Sequence, residues 1–334
     1  MRLPLGDLEE AAKRLRASAD VTGSVAVVTG GSGFIGRWVV ETFAAAGCGR
    51  VFLVTRNAAA LRERVPHLET SGVSIVEPHT LPERCDFVIH AATDSAENLA
   101  SQPRRFVEAI ELTNGALEFA SRAGAKRFLY ISSGAIYGRQ PPDIALVDEG
   151  FDGAPDVMDC RSAYGESKRA GELLCASYKN TGLHVTIARL FSVIGPLIPL
   201  GSKFAAGQFL DDALHGRPIE VRGDGTPLRT YLYAADAAVW LSTILLRGEN
   251  GRAYNAGSET PVSILDLAHE SATLVSPALP VIVRATPDAG RQPERYVPST
   301  QRARGELGVR ETIGWRAALR KTFEWYRSTD DPRI

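Results

Sequence analysis

Short apolar runs alternate with amphipathic stretches through about the first 190 residues of the chain. Val25–Thr29 and Phe87–His90 are almost wholly apolar, which is typical of parallel strands buried on both faces. Between such runs, apolar residues recur at helical spacing, at about 34–46, 104–122 and 163–180. Strands that alternate with helices connect through right-handed crossovers, so the pattern predicts an α/β fold with a doubly wound parallel sheet. The other strands predicted in this part are Val51–Thr55, Val73–Val76, Arg127–Ser132 and Val185–Arg189.

A glycine-rich turn joins the first predicted strand to the first predicted helix. Its sequence is Gly30-Gly31-Ser32-Gly33-Phe34-Ile35-Gly36. Glycine lets a backbone turn tightly and approach a diphosphate, and the helix N-terminus offers free N–H groups and a positive dipole to the phosphates. Between a strand and a helix, such a turn indicates a dinucleotide-binding Rossmann domain. The predicted cofactor contacts in this turn are Gly30, Gly33, Phe34, Ile35 and Gly36.

The end of the second predicted strand indicates which dinucleotide binds. NAD sites usually place Asp or Glu there for the ribose 2′-hydroxyl, whereas this chain has Thr55 followed by Arg56. Because arginine pairs with a 2′-phosphate, Arg56 predicts NADP(H) in preference to NAD(H). Arg37, just past the glycine turn, is predicted to assist it. In the alternative interpretation Arg56 only stacks on the adenine, and NAD(H) is the cofactor.

Beyond residue 190 the alternation gives way to a mixed pattern. Residues 191–228 are rich in Gly and Pro, which favours loops over the carboxyl edge of the sheet, where doubly wound folds bind ligands. Helical spacing returns in Ala234–Arg247, Ile264–Leu274 and Trp315–Tyr326, and at 7–19 it predicts a packing helix. The predicted division is an N-terminal helical arm over 1–22, a Rossmann domain over 23–190 with about 229–258, and a smaller C-terminal substrate-binding domain over 191–228 and 259–334.

Composition excludes several classes of function. Lys and Arg number 38 against 39 Asp and Glu, so no basic excess indicates nucleic acid or an anionic membrane as a partner. Four cysteines without a CxxC pair and six histidines without ligand spacing predict neither a redox pair nor a metal site. The chain has no apolar run of about 18 residues, and its N-terminus lacks the apolar core of a secretory signal. We therefore expect a cytoplasmic enzyme.

Two residues at helical spacing form a candidate acid–base pair. Tyr164 and Lys168 are four residues apart near the start of a predicted helix, so they share one helix face. A nearby ammonium lowers the pKa of tyrosine from about 10, which suits Tyr164 to proton transfer in carbonyl reduction or alcohol oxidation. Ser133 follows the strand after the long helix, where its hydroxyl can hydrogen-bond the reacting oxygen.

The ordered set of motifs resembles that of the extended short-chain dehydrogenases/reductases, specifically the nucleotide-sugar epimerases, dehydratases and ketoreductases. Thr29–Gly36 matches their glycine motif, and Ser133–Gly138 matches their Ser-x-x-x-Tyr-Gly. Tyr164 and Lys168 match their catalytic pair, and the resemblance extends over about residues 25–274. Further matches are His90–Ala92, Asn114, Arg189 with Gly195 and Pro196, Gly223–Thr226 with Arg229–Tyr231, and Asn255 with Gly257.

The resemblance implies a role for each matched residue. Lys168 would hold the nicotinamide ribose as well as act in catalysis, and Arg229 would bind the diphosphate of a nucleotide sugar. Ser192 stands where many family members have Asn. Family members commonly dimerise through the helices predicted here at about 104–122 and 163–180, so a homodimer is expected. The implied sites are Ser133, Tyr164 and Lys168 for catalysis; Ala91, Ala92, Tyr164 and Lys168 for the cofactor; and Ser133, Ser192 and Arg229 for the substrate.

One departure from the family pattern favours a particular activity. Dehydratases of the family place Asp-Glu directly after the catalytic Ser or Thr, whereas this chain has Gly134-Ala135, which cannot transfer protons. With Arg56, this favours 4-ketoreduction of an NDP-4-keto-6-deoxyhexose, with Tyr164 as the acid. A 4-epimerase with tightly bound NAD needs the same catalytic residues and stays open, whereas the missing acids disfavour a dehydratase. A non-catalytic NAD(P)-binding sensor is the alternative of another class.

Overall fold

The computed structural model describes residues 1–94, 96–202, 204–288, 290 and 292–329. Strands and helices alternate through the first half of the chain and are followed by shorter elements. The strands are β1 Val25–Thr29, β2 Arg50–Val54, β3 Val73–Val76, β4 Phe87–His90, β5 Arg127–Ser133, β6 His184–Leu190, β7 Val193–Ile194, β8 Ile219–Val221, β9 Leu228–Arg229, β10 Leu232–Tyr233, β11 Arg252–Ala256, β12 Val262–Ser263 and β13 Val281–Val283. The helices are α1 Leu5–Ser18, α2 Phe34–Ala45, α3 Ala58–Arg64, α4 Ala96–Ser101, α5 Pro103–Arg122, α6 Ala163–Ser177, α7 Ala205–Leu214, α8 Ala234–Arg247, α9 Ile264–Ala272, α10 Gln301–Leu307 and α11 Trp315–Arg327.

Seven strands of the described residues form one parallel sheet in the order β11-β6-β5-β4-β1-β2-β3. The chain runs outward from β1 through β2 to β3 and then returns to place β4 on the other side of β1. This reversal opens a crevice at the carboxyl ends of β1 and β4, where doubly wound folds bind their ligands. The predicted α/β doubly wound fold is confirmed, with most predicted strand ends within one or two residues of those observed.

The two faces of the sheet are covered by different helices. Along β1 and β5, Val28 and Leu129 belong to the core formed with α1, α2 and α8, whereas Val27 and Phe128 belong to the core formed with α5 and α6. Successive side chains of a strand point to opposite faces, so a strand covered on both sides has to be apolar at every position. This is why these strands are read from the sequence as unbroken apolar runs.

Helix α1 is part of the main core. Ala11, Ala12 and Leu15 are buried in the same core as the side chains of α2 and α8. Arg14 of this helix pairs with the buried carboxylate of Asp236 in α8. The observed contacts are those of a packing helix, as expected for 7–19.

The segment over 191–228 contains a helix where the sequence indicates only loops. Helix α7 buries Phe209 and Leu210 in the main core. Its third residue is Gly207, at which a Cβ would lie 2.2 Å from the carbonyl oxygen of Pro199. The glycine that close packing requires here also weakens the helical signal, because glycine disfavours helices. In the same part of the chain, β8 pairs with β13 and β9 pairs with β12. The domain limits predicted from the sequence stay a prediction.

Candidate active site

The glycine turn packs against the residues that follow β4. Gly30 has a φ of +67°, and a Cβ on it would lie 2.6 Å from the backbone nitrogen of Ala92. A Cβ on Gly36 would lie 2.3 Å from the carbonyl oxygen of Gly30. Both positions therefore require glycine, which brings bare backbone to the crevice beside Ala91 and Ala92. A diphosphate fits such a cradle, because it can approach the backbone without meeting side chains.

Helix α2 begins directly after this turn. Gly33 is its N-cap residue and supplies no side-chain cap. The N–H groups of Phe34 and Ile35 lie in the first turn, where a helix has no partner for them of its own. Together with the helix dipole they suit the phosphates of a dinucleotide. Cofactor contact by these residues stays a prediction, and the local geometry suits it.

The two arginines predicted to bind a 2′-phosphate have different surroundings. Arg56 is exposed just beyond β2 and forms no ion pair with a described residue. Arg37 is buried, where its Nε donates to Glu41 Oε1 at 2.6 Å and its Nη2 to the Met1 carbonyl oxygen at 3.3 Å. The predicted assistance from Arg37 is therefore wrong, because its charge is compensated inside the protein.

The three predicted catalytic residues meet at the carboxyl end of β5. Ser133 is the last residue of this strand, while Tyr164 and Lys168 occupy the start of α6. The Lys168 Nζ lies 6.0 Å from the centroid of the Tyr164 ring and donates to the carbonyl oxygen of Ile131 at 2.8 Å. The fold thus assembles the Ser–Tyr–Lys set that the sequence spacing indicates.

Burial governs the charges of this set. Burial raises the pKa of the Tyr164 phenol, and a hydrogen bond with Ser133 lowers that pKa by less. Burial also lowers the pKa of the Lys168 ammonium to about 8, against the attraction of the Glu172 carboxylate. The Tyr164 pKa is thus raised overall and not lowered as expected, because burial is the largest influence on it, while the Lys168 ammonium is bonded to a carbonyl and lies 6.0 Å from the ring centroid. Tyr164 is therefore a neutral phenol at pH 7, which is the form that donates a proton.

Tyr296 is a residue of this site that the sequence did not reveal. Its hydroxyl lies 3.4 Å from Ser133 Oγ, and its ring centroid lies 4.5 Å from that of Phe191. Burial raises the pKa of the Tyr296 phenol, so this residue is also neutral at pH 7. It lies outside the 25–274 stretch that carries the resemblance. No spacing marks a single tyrosine in a loop, so only the fold identifies it.

The ring of Phe191 also explains the glycine that follows Ser133. A Cβ on Gly134 would lie 2.5 Å from Cζ of Phe191. The aromatic ring thus takes up the space into which a side chain at position 134 would extend. With Ala135 next in the chain, neither residue after the catalytic serine carries a group that transfers protons.

The predicted substrate residues lie on the carboxyl side of the sheet. The Arg229 guanidinium lies close enough to Tyr296 to lower its pKa, and its Nη2 is 3.8 Å from Glu294 Oε2. Ser192 follows β6, and its carbonyl oxygen accepts from the Leu232 N–H at 3.0 Å. A cavity of about 190 Å³ is formed by residues between Ser202 and Ile264, the part of the chain that contains Arg229. Its lining residues are Ser202, Ala205, Gln208, Phe209, Glu220, Val221, Arg222, Gly223, Gly225, Pro227 and Ile264.

Within the part of the chain that the structure describes, no group of three or more His, Cys, Asp or Glu side chains is arranged to hold a metal ion. None of the helices in this part combines the length and the apolar character that a bilayer crossing requires.

A glycine cradle at the reversal of a doubly wound sheet, with Ser133, Tyr164 and Lys168 at the adjoining strand end, defines an NAD(P)-binding enzyme of the oxidoreductase type. The sequence profile of the NAD dependent epimerase/dehydratase family matches residues 26–257. The chain therefore belongs to this family.

Individual relatives span several activities. UDP-glucuronic acid decarboxylase 4 of Arabidopsis thaliana is 29% identical over 304 residues, covering 88% of this chain and 66% of the plant enzyme, just under two thirds of its length. UDP-N-acetyl-alpha-D-glucosaminuronate decarboxylase of Bacillus cytotoxicus is 25% identical over 321 residues, covering 91% of this chain and 98% of the relative. The structure of epimerase Mth375 from Methanothermobacter thermautotrophicus has a TM-score of 0.81 at 25% identity and covers 95% of both chains.

Proposed function

We propose that this protein reduces the 4-keto group of a nucleotide-activated 4-keto-6-deoxyhexose, with NADPH as the reductant and Tyr164 as the acid. The observation that carries the proposal is the absence of an acid or base directly after Ser133. Gly134 and Ala135 offer no proton-transferring group, and the ring of Phe191 fills the space next to Gly134. Eliminating water from a sugar needs an acid and a base in addition to the hydride-transfer residues. Reduction needs only the residues that the site retains.

The roles of the three residues follow from their placement. The nicotinamide, when bound, supplies hydride to the carbonyl carbon. Negative charge develops on the 4-oxygen of the sugar, where the Ser133 hydroxyl donates a hydrogen bond. The pKa of the Tyr164 phenol is raised, so this residue stays neutral at pH 7 and has the proton that this oxygen takes up. The buried Lys168 ammonium then stabilises the phenolate until solvent returns the proton.

The nucleotide end of the substrate is assigned to the segment around Arg229. A guanidinium pairs with a diphosphate through charge-assisted hydrogen bonds, and Arg229 lies near Tyr296 and so near Ser133. The cavity of about 190 Å³ is lined in part by Gly223, Gly225 and Pro227, which stand shortly before Arg229 in the chain. We assign the nucleoside to this cavity. Ser192 is proposed as a further contact on the substrate side.

A 4-epimerase is the second candidate. The observation that favours it is the likeness to a Methanothermobacter structure described as an epimerase, at a TM-score of 0.81. Oxidation of the sugar and return of hydride to its other face would use the same Ser133, Tyr164 and Lys168. The two functions differ in cofactor balance, because only reduction consumes NADPH.

The experiment is a substrate panel. The protein is incubated with NADPH and UDP-, dTDP-, CDP- and GDP-sugars, with 4-keto-6-deoxy forms included, and NADPH absorbance and sugar products are followed. We expect NADPH oxidation in equal amount to the 4-hydroxy product with at least one keto sugar. A 4-epimer formed without net cofactor use selects the second candidate. Release of a 4-keto sugar from a hexose substrate contradicts the proposal.

Cofactor preference is tested at Arg56. Arg56→Ala is expected to lower kcat/KM for NADPH by about tenfold and to leave that for NADH unchanged, because a charge-assisted contact to the 2′-phosphate is lost. Arg50→Ala is the matched control, since Arg50 is also exposed but lies at the opposite end of β2. If the wild type prefers NADH, or if Arg56→Ala affects both cofactors equally, the assignment of NADPH is wrong.

The proposed homodimer is tested on α6. Leu112 of α5 and Leu173 of α6 are 53% and 73% exposed, a large apolar exposure for two helices that pack side by side. A partner that covered this face would bury Leu173, so Leu173→Glu is expected to weaken association by about 100-fold or more and to give a monomer by light scattering. Met158→Glu, at an 89% exposed residue outside both helices, is the control and should leave the mass unchanged. A monomeric wild type contradicts the proposal.

A further inference from the structure

One carboxylate joins two strand ends to the catalytic helix. Ser132 and Arg189 are register partners across β5 and β6. The Ser132 hydroxyl donates to Glu172 Oε1 at 2.6 Å, and Arg189 donates to the same carboxylate from Nε at 3.1 Å and from Nη2 at 2.8 Å. Glu172 lies on α6 one turn beyond Lys168, and Ser132 directly precedes Ser133. The carboxylate, itself on the catalytic helix, is thus bonded to the residue before Ser133 on β5 and to Arg189 on β6.

This junction is largely shielded from solvent, and Arg189 makes further hydrogen bonds beyond it. The side chains of Glu172 and Arg189 are 13% and 15% exposed, so solvent screens their charges little. Arg189 Nη1 donates to the Tyr137 hydroxyl at 2.9 Å, and that hydroxyl donates to Asn255 Oδ1 at 2.8 Å. Arg189 is therefore held by a further contact in addition to its bonds with the carboxylate.

Lys168 has few charged neighbours besides this carboxylate. Burial lowers the pKa of His90 to about 3 and raises the pKa values of Tyr130 and Cys175, so all three are neutral at pH 7. Among the described residues, the Glu172 carboxylate is the charge that offsets the burial of the ammonium. The titratable groups that face Lys168 are His90 from β4, Tyr130 from β5, and Tyr164, Glu172 and Cys175 from α6.

We propose that Glu172 is a positioning residue of this active site. Its bonds to Ser132 and Arg189 hold the ends of β5 and β6 against α6, and its charge keeps Lys168 protonated beside Tyr164. Arg189 also pairs with the Glu172 carboxylate, and its positive charge therefore weakens the stabilisation that this carboxylate gives to the Lys168 ammonium. The role of Lys168 in proton transfer rests on the proposed function. The charge of Lys168 does not, because it can be measured without substrate.

The test is a direct titration of Lys168 by NMR. The chain has six lysines, so the protein labelled with ¹³C at lysine Cε gives a tractable spectrum, in which Lys168→Arg assigns the resonance. In Glu172→Gln, which keeps the size and an acceptor for Ser132, the pKa of Lys168 is expected to fall by about one pH unit. In Arg189→Gln it is expected to rise, because the carboxylate then acts on the ammonium alone. Opposite shifts are a result that general damage to the fold cannot produce.

The control is Glu324→Gln on the exposed face of α11, which should leave the titration of Lys168 unchanged. An unchanged pKa in Glu172→Gln, or a fall in both variants, overturns the proposal. If circular dichroism shows that Glu172→Gln does not fold, Arg189→Gln decides alone: a rise supports the proposal, and a fall or no change overturns it.

Turnover provides a second readout once a substrate is known. In Glu172→Gln the alkaline limb of the kcat profile should move to lower pH together with the titration of Lys168. Thermal unfolding is measured alongside, because a loss of stability would lower the melting temperature without shifting the pH dependence of kcat. A protein that turns over no nucleotide sugar but shows the opposite NMR shifts would refute the proposed function and retain the assignment of Glu172.

Discussion

Tyr164→Phe is expected to lower kcat by about 10²–10⁴-fold, the range in which a positioned acid contributes to proton transfer. The change removes one hydroxyl, whose pKa Ser133 lowers, and leaves the ring from whose centroid the Lys168 Nζ lies 6.0 Å. Binding of NADPH, measured by fluorescence, should change little because the glycine cradle and Lys168 stay in place. The combination of lost turnover and retained cofactor binding is the signature of a proton donor.

Tyr178→Phe is the matched control for this experiment. Tyr178 caps the same helix at its other end, so the substitution tests loss of a tyrosine hydroxyl on α6 away from the site. Its kcat should equal that of the wild type. A Tyr164→Phe protein that retains more than about a tenth of wild-type turnover would show that another group supplies the proton. Tyr296, whose hydroxyl lies 3.4 Å from Ser133 Oγ, would then be the first to replace by Phe.

Gly30→Ala is expected to weaken NADPH binding by about tenfold or more. A Cβ at a φ of +67° costs about 1–2 kcal/mol by itself, and here it would also lie 2.6 Å from the backbone of Ala92. The turn or the end of β4 has to move, and both line the cradle. Cofactor titration measures the affinity, and the thermal midpoint measures the cost to the fold.

Gly115→Ala is its control. Gly115 lies in α5, and a Cβ there meets no atom within 4 Å, so the substitution should leave affinity unchanged and favour the helix. Equal affinities in Gly30→Ala and the wild type would mean that the dinucleotide does not bind at this turn.

The fold could be predicted from the sequence because its central strands are covered on both faces. Successive side chains of Val25–Thr29 enter the cores on opposite faces of the sheet, so apolar residues are needed along the strand. The result is an unbroken apolar run in the sequence, whose ends mark the ends of the strand. Helix α7 could not be predicted in the same way. Its Gly207 is required by close approach to Pro199, and that contact depends on the tertiary structure.

The candidate site could be predicted where its residues are close in sequence. Tyr164 and Lys168 are one helix turn apart, so spacing alone places them on one face. Tyr296 and Glu172 could not be found, because their contacts with Ser133, Ser132 and Arg189 join distant segments.

The prediction for Arg37 fails for a related reason. Its position next to the glycine turn suggested contact with the cofactor, but sequence does not show the direction of a side chain relative to the core. The structure turns Arg37 towards Glu41, with the two atoms of the pair 2.6 Å apart.

The most direct test of the central claim follows the hydride itself. The protein is supplied with a 4-keto-6-deoxy nucleotide sugar that it turns over, and with NADPH deuterated at the transferable position of the nicotinamide ring. We expect one deuterium on carbon 4 of the sugar for each NADPH consumed, and no such product from Tyr164→Phe on the same time scale. A product without deuterium at carbon 4, or one formed while NADPH is conserved, would contradict it.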